Sequence, residues 1–313
     1  MAINLLGGLV GRRCAGVAIA AAALALTVGT PIDDCFAYTA AGDRIFPALG
    51  ILPPIAPGDG IYVWGWTVPL AGGPVGSPDE ATNVGAFFDK TITDRLGVLV
   101  NEQWFRIDRA HASSVDGFAN LQTEIKYELL NSQPHEAILT LGVNREWGGT
   151  GAAHVGASSF GATEPRVYFG KGFGDLDIGY LRPFALEGFV GYQVADGTPR
   201  PNLWDTGVAL EYSIPYLQSK VQALNLPGWM RQLTPITEAL FTVPAGRSFG
   251  ARTTVLLAPG ISYAGEGWEF LIEALLPETN ATAAGTGVRA QLHISLDFLA
   301  PDTIGHPLFS SVP

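Results

Sequence analysis

The sequence predicts an all-β protein, a transmembrane antiparallel up-and-down β-barrel of about twelve strands with a short helical periplasmic segment. Three observations predict it. An export leader stands at the N-terminus, segments of about 9–11 residues alternate apolar and polar side chains along most of the remainder, and the connections between them alternate short and long. The clearest segment runs from Thr286 to Leu299, TGVRAQLHISLDFL. Val288, Ala290, Leu292, Ile294, Leu296 and Phe298 share one face of an extended chain there, and Arg289, Gln291, His293, Ser295 and Asp297 share the other. Lipid on one side and a wet lumen on the other select for that division. A secreted β-sandwich also produces it, but the leader and the number of similar segments favour the membrane.

The leader is assigned to residues 1–37. Arg12 and Arg13 precede an apolar run from Ala15 to Val28, and Cys35-Phe36-Ala37 places small residues where signal peptidase reads, so cleavage is expected after Ala37. The run is short for a spanning helix, which needs about 20 residues. Cys14 and Cys35 both fall inside it, so a disulfide framework and a thiolate metal site are excluded from the mature chain. Ile32-Asp33-Asp34 lacks the small residues of a lipoprotein signal, so no lipid anchor is expected. Cleavage removes Arg12, Arg13, Asp33 and Asp34, two of each sign, and the net charge of −11 stands. An acidic chain without a basic, aromatic-studded run excludes nucleic acid as a partner.

Residues 38–59, with Pro47, Pro53, Pro54 and Pro57, read as an extended periplasmic lead-in, because proline removes backbone donors. The barrel is assigned to 60–299. Its strands are expected at 60–70, 83–92, 96–106, 118–130, 137–147, 165–173, 184–194, 203–214, 236–244, 252–263, 267–276 and 287–299. In 118–130 Ile125, Tyr127 and Leu129 oppose Glu124, Lys126 and Glu128; in 267–276 Trp268, Phe270 and Ile272 oppose Glu269 and Glu273. Around Phe87-Phe88 and Asn101-Glu102 the alternation fails, which predicts a bulge or a shifted register. Short turns at Thr93-Asp94-Arg95, 131–136 and 264–266 fall on the periplasmic side, and long loops at 71–82, 107–117, 148–164 and 277–285 fall outside. Two stretches depart from this: 176–183 is somewhat long for a periplasmic turn, and 215–235 is far too long, an amphipathic stretch broken at Pro227-Gly228. The second predicts two short helices, acting as a plug or lying at the inner leaflet. Residues 300–313 form a periplasmic tail. Trp64, Trp66, Trp104, Trp147, Tyr168, Trp204, Tyr212, Tyr263 and Trp268 fall mostly near strand ends, where a headgroup layer suits them.

Lumen-lining candidates follow from the polar faces: Glu124, Lys126, Glu128, Glu187, Glu211, Glu238, Glu269, Glu273, Arg289, His293 and Asp297. An acidic lining favours cations or neutral solutes in an open pore. No cofactor or metal is expected, since His111, His135, His154, His293 and His306 are scattered outside any ligand spacing. Gly170-Lys171-Gly172-Phe173-Gly174 lacks the spacing and the lysine-hydroxyl ending of a phosphate loop. His293, Ser295 and Asp297 are the strongest enzyme candidate. Residues two apart on a strand lie roughly 6.6–6.8 Å apart, too far for a nucleophile and its base. The chain is therefore expected not to be an enzyme.

Several stretches carry a family resemblance: Leu210 to Leu217 (LEYSIPYL), Pro259 to Tyr263, Glu273 to Pro277, and the ending Leu296-Asp297-Phe298-Leu299 through Pro301-Asp302 to Gly305-His306-Pro307-Leu308-Phe309. In these the C-terminal third resembles the Gram-negative outer-membrane transporter family named for the MetA pathway of phenol degradation. The resemblance implies passage of small hydrophobic or aromatic solutes. Its partners would be the outer-membrane bilayer, the barrel-assembly machinery and the solute. A structural or adhesive barrel without an open pore is the alternative. The C-terminal aromatic that assembly machinery reads is expected at Phe298 or Phe309, since the chain itself ends at Pro313.

Overall fold

The computed structural model describes residues 39–70, 79–198, 200–247 and 250–309. The leader expected at 1–37 lies outside the described residues. Two short strands, β1 (Thr39–Ala41) and β2 (Arg44–Phe46), pair as a hairpin. The larger sheet begins with β3 (Gly60–Pro69), β4 (Glu80–Thr93) and β5 (Leu96–Asp108). Next come β6 (Val115–Phe118) and β7 (Gln122–Ser132), which pair in succession with β5 and act as one broken strand. Then follow β8 (Ala137–Glu146), β9 (Ala162–Gly172), β10 (Phe184–Ala195), β11 (Leu203–Tyr212) and β12 (Leu233–Pro244). The last are β13 (Thr254–Ala264), β14 (Trp268–Pro277) and β15 (Gly287–Ser295). Neighbours are antiparallel throughout, and β15 pairs with β3, so the sheet closes into a 12-strand barrel. Closure leaves no unpaired edge, which a backbone surrounded by hydrocarbon requires.

Alternation sorts side chains as the strand period demands. Val63, Val100, Ile125, Val143, Val167, Leu210 and Ile272 are exposed on the outer wall. Between them, polar and small residues point inward. A register shift between Glu128 and Leu130 turns both Leu129 and Leu130 outward. At Phe87-Phe88 and Asn101-Glu102 the register is regular, contrary to expectation. At Phe87-Phe88 the alternation fails because the inner wall is aromatic: Phe87 faces inward and stacks on Tyr62 at 4.0 Å between ring centres, and its cross-strand partner Asn101 lines the cavity beside it. Trp64 and Tyr168, two of the aromatics that as a group suit a headgroup layer, are individually buried inside the barrel.

The expected strand 118–130 is interrupted at Ala119–Leu121. There Asn120 donates from Nδ2 to Glu146 Oε1 and to the Ser158 carbonyl, both at 2.8 Å, and so fastens the β8–β9 loop across the opening. The short turns 94–95, 133–136 and 265–267 lie at the end that carries the hairpin beginning at Thr39 and the tail to Phe309. The segment between β11 and β12 lies there too. It forms one helical stretch, Ile214–Tyr216 continuing through Leu217–Val221, and a second turn at Gly228–Gln232. Tyr216 and Leu217 are buried, while Trp229 is exposed. The segment caps one side of the barrel mouth and does not fill the lumen.

The lumen is filled instead by the stretch read as a periplasmic lead-in. Phe46, Leu49, Leu52, Ile55 and Ala56 are buried against Ile138, Ala185, Phe189, Ala209, Ile236 and Leu271 of the inner wall. Pro47, Pro53, Pro54 and Pro57 keep this chain out of any regular ladder, so its remaining N–H groups need other acceptors. They find inward carboxylates. Glu238 accepts from the N–H groups of Gly50, Ile51 and Leu52 at 2.5, 3.0 and 2.8 Å, and Glu269 accepts from Ala48 at 2.8 Å. Carbonyls are met as well: Gln291 Nε2 donates to Leu49 O at 2.7 Å, and Lys126 Nζ donates to Pro54 O. Composition marked this stretch as non-regular. It did not show which side of the wall would hold it.

The last strand stops at Ser295, four residues short of the expected Leu299. Ser295 Oγ accepts the Asp297 N–H and caps a helical turn over Leu296–Leu299, which buries Leu296 instead of presenting it to lipid. Asp297 therefore leaves the inner strand face, and Phe298 leaves the outer one. Phe309, at the far end of the described tail, is exposed and donates its N–H to Ile92 O at 2.8 Å. Partial burial, with the Asp59 charge nearby, raises the Asp297 carboxyl to about 6. Because the folded value lies above the unfolded one, the group's contribution is fullest below about pH 4 and is lost as pH rises through 6. Asp297→Asn should accordingly raise the heat-modification midpoint at pH 8 more than at pH 4, as read by gel migration; an equal shift at both would refute the assignment.

Candidate translocation path

From the mouth opposite those short turns, a cavity of about 500 Å³ descends into the barrel and ends on Gly50, Ile51, Leu52 and Pro53. Trp64 and Trp66 of β3, Phe87 of β4 and Phe189 of β10 give it aromatic walls, and Leu240, Leu256 and Leu275 add aliphatic ones. Polar groups stand among them, several paired with one another. Arg166 on β9 donates to Glu164 at 2.6 Å and to Glu124 at 3.4 Å, and Tyr168 Oη also donates to Glu124. Asp205 accepts from Thr242 Oγ1 at 2.5 Å. Arg289 lies over the Trp64 ring at 5.0 Å and donates to Gln291 at 2.9 Å. This vestibule offers aromatic and aliphatic walls interleaved with polar groups, Asn101, Gln103, Gln122 and Asn144 among them, a mixed surface that suits a small amphipathic molecule.

Below its floor the predicted lining residues meet the N-terminal segment, hereafter the plug. Glu238, Glu269 and Lys126 hold its backbone directly, as described above. Glu273 stands opposite Arg289 across β14 and β15 and presses against Gly50, where any Cβ would run into its carboxylate. Glu187 and His293 border a small void beside Phe46, Ala48 and Ile55, of about 20 Å³, which suffices for one water. His293 stacks on Tyr62 at 4.0 Å, and Ser295 Oγ accepts the Asp297 N–H as a helix cap. Glu211 faces Arg44 of the plug at 3.7 Å. Glu124 and Lys126 lie deep in the wall, whereas Glu128, beside the bulge, is half-buried and accepts from Asn131 at 3.2 Å.

No family model matches this sequence, and no curated protein matches it. Among solved structures it is similar in fold to the KdgM porin, with 10% identity, a TM-score of 0.44, and coverage of 75% of this chain and 98% of that one. It is also similar to an outer membrane channel from Pseudomonas putida F1, with 12% identity, a TM-score of 0.48, and coverage of 80% and 99% respectively. LpxR from Salmonella typhimurium covers 75% and 99%, at 8% identity and a TM-score of 0.41.

The sequence reading missed several residues that shape the path. Glu164, Arg166 and Tyr168 alternate with Pro165 and Val167, so a two-residue period starting at Ala162 instead of 165 would have exposed them as inward. Trp64 and Trp66 carry the same period but look like lipid-facing residues until the register is known. Asp59, which binds Lys90 and Thr91 where the plug joins β3, and Arg44 lie in a stretch with no period to read.

Proposed function

We propose that the chain spans the Gram-negative outer membrane, delivered there through its leader, as a channel for small solutes that is entered from the vestibule and closed by the plug of residues 39–59. The outer wall's continuous apolar exposure matches a lipid environment, and the end bearing the short turns then faces the periplasm. Phe298 and Phe309, both exposed at that end, are available to the barrel-assembly machinery. Aromatic walls suit solutes with an aromatic or aliphatic body, in keeping with the family resemblance. The observation that carries the channel reading is the vestibule: a cup with aromatic walls that ends on a peptide instead of on the barrel wall. The occupied lumen also favours a second reading, a barrel with a structural or adhesive role and no pore.

A reversible lock tests the two. A Cβ on Gly207 would point into the Leu52 side chain, so Leu52→Cys with Gly207→Cys brings two Cβ atoms within about 5 Å, near the range of a disulfide. In liposome swelling, the reduced double variant and the wild type are expected to admit small aromatic solutes, and the oxidised variant to admit none. Swelling no faster than empty vesicles in all three would retire the channel in favour of the closed barrel.

A further inference from the structure

One side chain ties the hairpin of the plug to the barrel. Arg44, on β2, is fully buried, and its guanidinium donates to the carbonyls of Arg182, Pro183 and Phe184 at 2.6, 3.0 and 3.1 Å. Glu136 Oε2 and Glu211 Oε1 lie 3.5 and 3.7 Å from it, and the Tyr216 ring lies 4.2 Å from its central carbon. Glu136 is itself held in place, accepting from Tyr216 Oη at 2.7 Å and from the Gly174 N–H at 3.0 Å. Every one of these groups belongs to the barrel or its mouth, and none to the plug. Three carbonyls in a fork, two carboxylates and an aromatic face make a complete receptor for a planar cation.

Resting on the channel reading above, we propose that this socket is a binding site for solutes bearing a guanidinium or primary ammonium group, and that Arg44 is a tethered stand-in which such solutes displace. When the plug withdraws, Glu136 and Glu211 lose their cation while still shielded from bulk water, a state that a second cation relieves. The same withdrawal strips Glu238 and Glu269 of the backbone donors they now serve. An incoming cation is therefore favoured along the whole plug path, and its binding favours the open state by mass action. The mouth segment 213–232, which no lumen-filling role explains, acquires one here: it supplies Tyr216, and its Lys220 pairs with Asp43 of the hairpin at 2.7 Å.

Planar-bilayer recording of the full mature chain tests this with methylguanidinium chloride added on the side of the short turns, against sodium chloride and tetramethylammonium chloride at equal ionic strength. Methylguanidinium should raise the open probability about five-fold or more, a modest linkage effect, while the other two salts leave it unchanged. Arg44→Ala should be open without the probe, should gain nothing from it, and should show a cation-selective reversal potential; gel heat-modification confirms that its barrel is formed. An equal response to all three salts overturns the proposal, as does an open Arg44→Ala pore that is anion-selective. If neither protein conducts in any salt although both are folded, the channel reading itself fails and the socket proposal falls with it.

Discussion

Replacing Gly170 and Gly207 together by leucine is expected to turn a channel that is mostly closed into one that stays open. Both glycines sit at inward positions, on β9 and β11, where the missing side chains make room for the plug. A Cβ at Gly170 would stand 2.5 Å from Ile55 Cδ1 and 3.1 Å from Phe46 Cζ, and one at Gly207 would enter Leu52. Overpacking at each site costs about 1–3 kcal/mol, and the wall has no room to yield because its ladder is hydrogen-bonded on both sides. The plug can yield, since no ladder holds residues 47–58. A combined penalty of about 2–6 kcal/mol shifts a two-state equilibrium by roughly thirty-fold to ten-thousand-fold toward the open state. Single-channel recording reads that change, and gel heat-modification verifies the barrel. A folded double variant with wild-type conductance would mean that the plug is not what blocks the lumen.

Why these glycines carried no signal in the sequence is a matter of what periodicity can report. Closure of the wall was legible because each strand buries one face and exposes the other, so a pattern such as Trp268 to Leu276 fixes both its conformation and its orientation. Glu238, Glu269 and Glu273 were legible as inward for the same reason. Their partners were not, because a hydrogen bond from Gly50 to Glu238 joins residues far apart in the chain by a contact that no local period encodes. The plug itself was recognised only for what it avoids: its prolines exclude it from sheet and helix, and that exclusion holds equally for a solvated linker and for a peptide packed in a lumen. Phe46, Leu49, Leu52 and Ile55 were the available hint. Four large apolar residues in a nominally solvated stretch would expose surface worth about 1.5–3 kcal/mol apiece, which argues that something covers them. At the other terminus the pattern misled. Leu296-Asp297-Phe298 continues the alternation of β15 beyond the point where the Ser295 cap has already turned the chain into a helix.

Glu238→Ala is expected to unseat the plug more completely than any other single truncation of a wall carboxylate. One carboxylate there serves three successive backbone N–H groups, those of Gly50, Ile51 and Leu52. Alanine removes both acceptor oxygens and leaves the three donors without the acceptor that served them, the Glu273 carboxylate beside Gly50 being the nearest replacement. Hydrogen bonds to a charged group contribute about 1.5–3 kcal/mol each, so their combined loss, offset in part by relief of crowding with Glu273, amounts to about 3–6 kcal/mol against the seated plug. That is roughly a hundred-fold to ten-thousand-fold in the seated fraction. Glu238→Gln should fall between, since its carbonyl still accepts while its amide confronts a donor with a donor. Glu269→Ala is the control: Glu269 holds a single plug N–H, from Ala48, together with the Ser262 hydroxyl, and its loss should free the plug far less. Thiol labelling of Leu52→Cys in each background, followed by mass spectrometry, reports exposure of the plug without reference to conductance. Equal labelling of the Glu238→Ala and Glu269→Ala backgrounds would remove Glu238 from its place as the seat of the plug and leave the Arg44 socket as the stronger fastening.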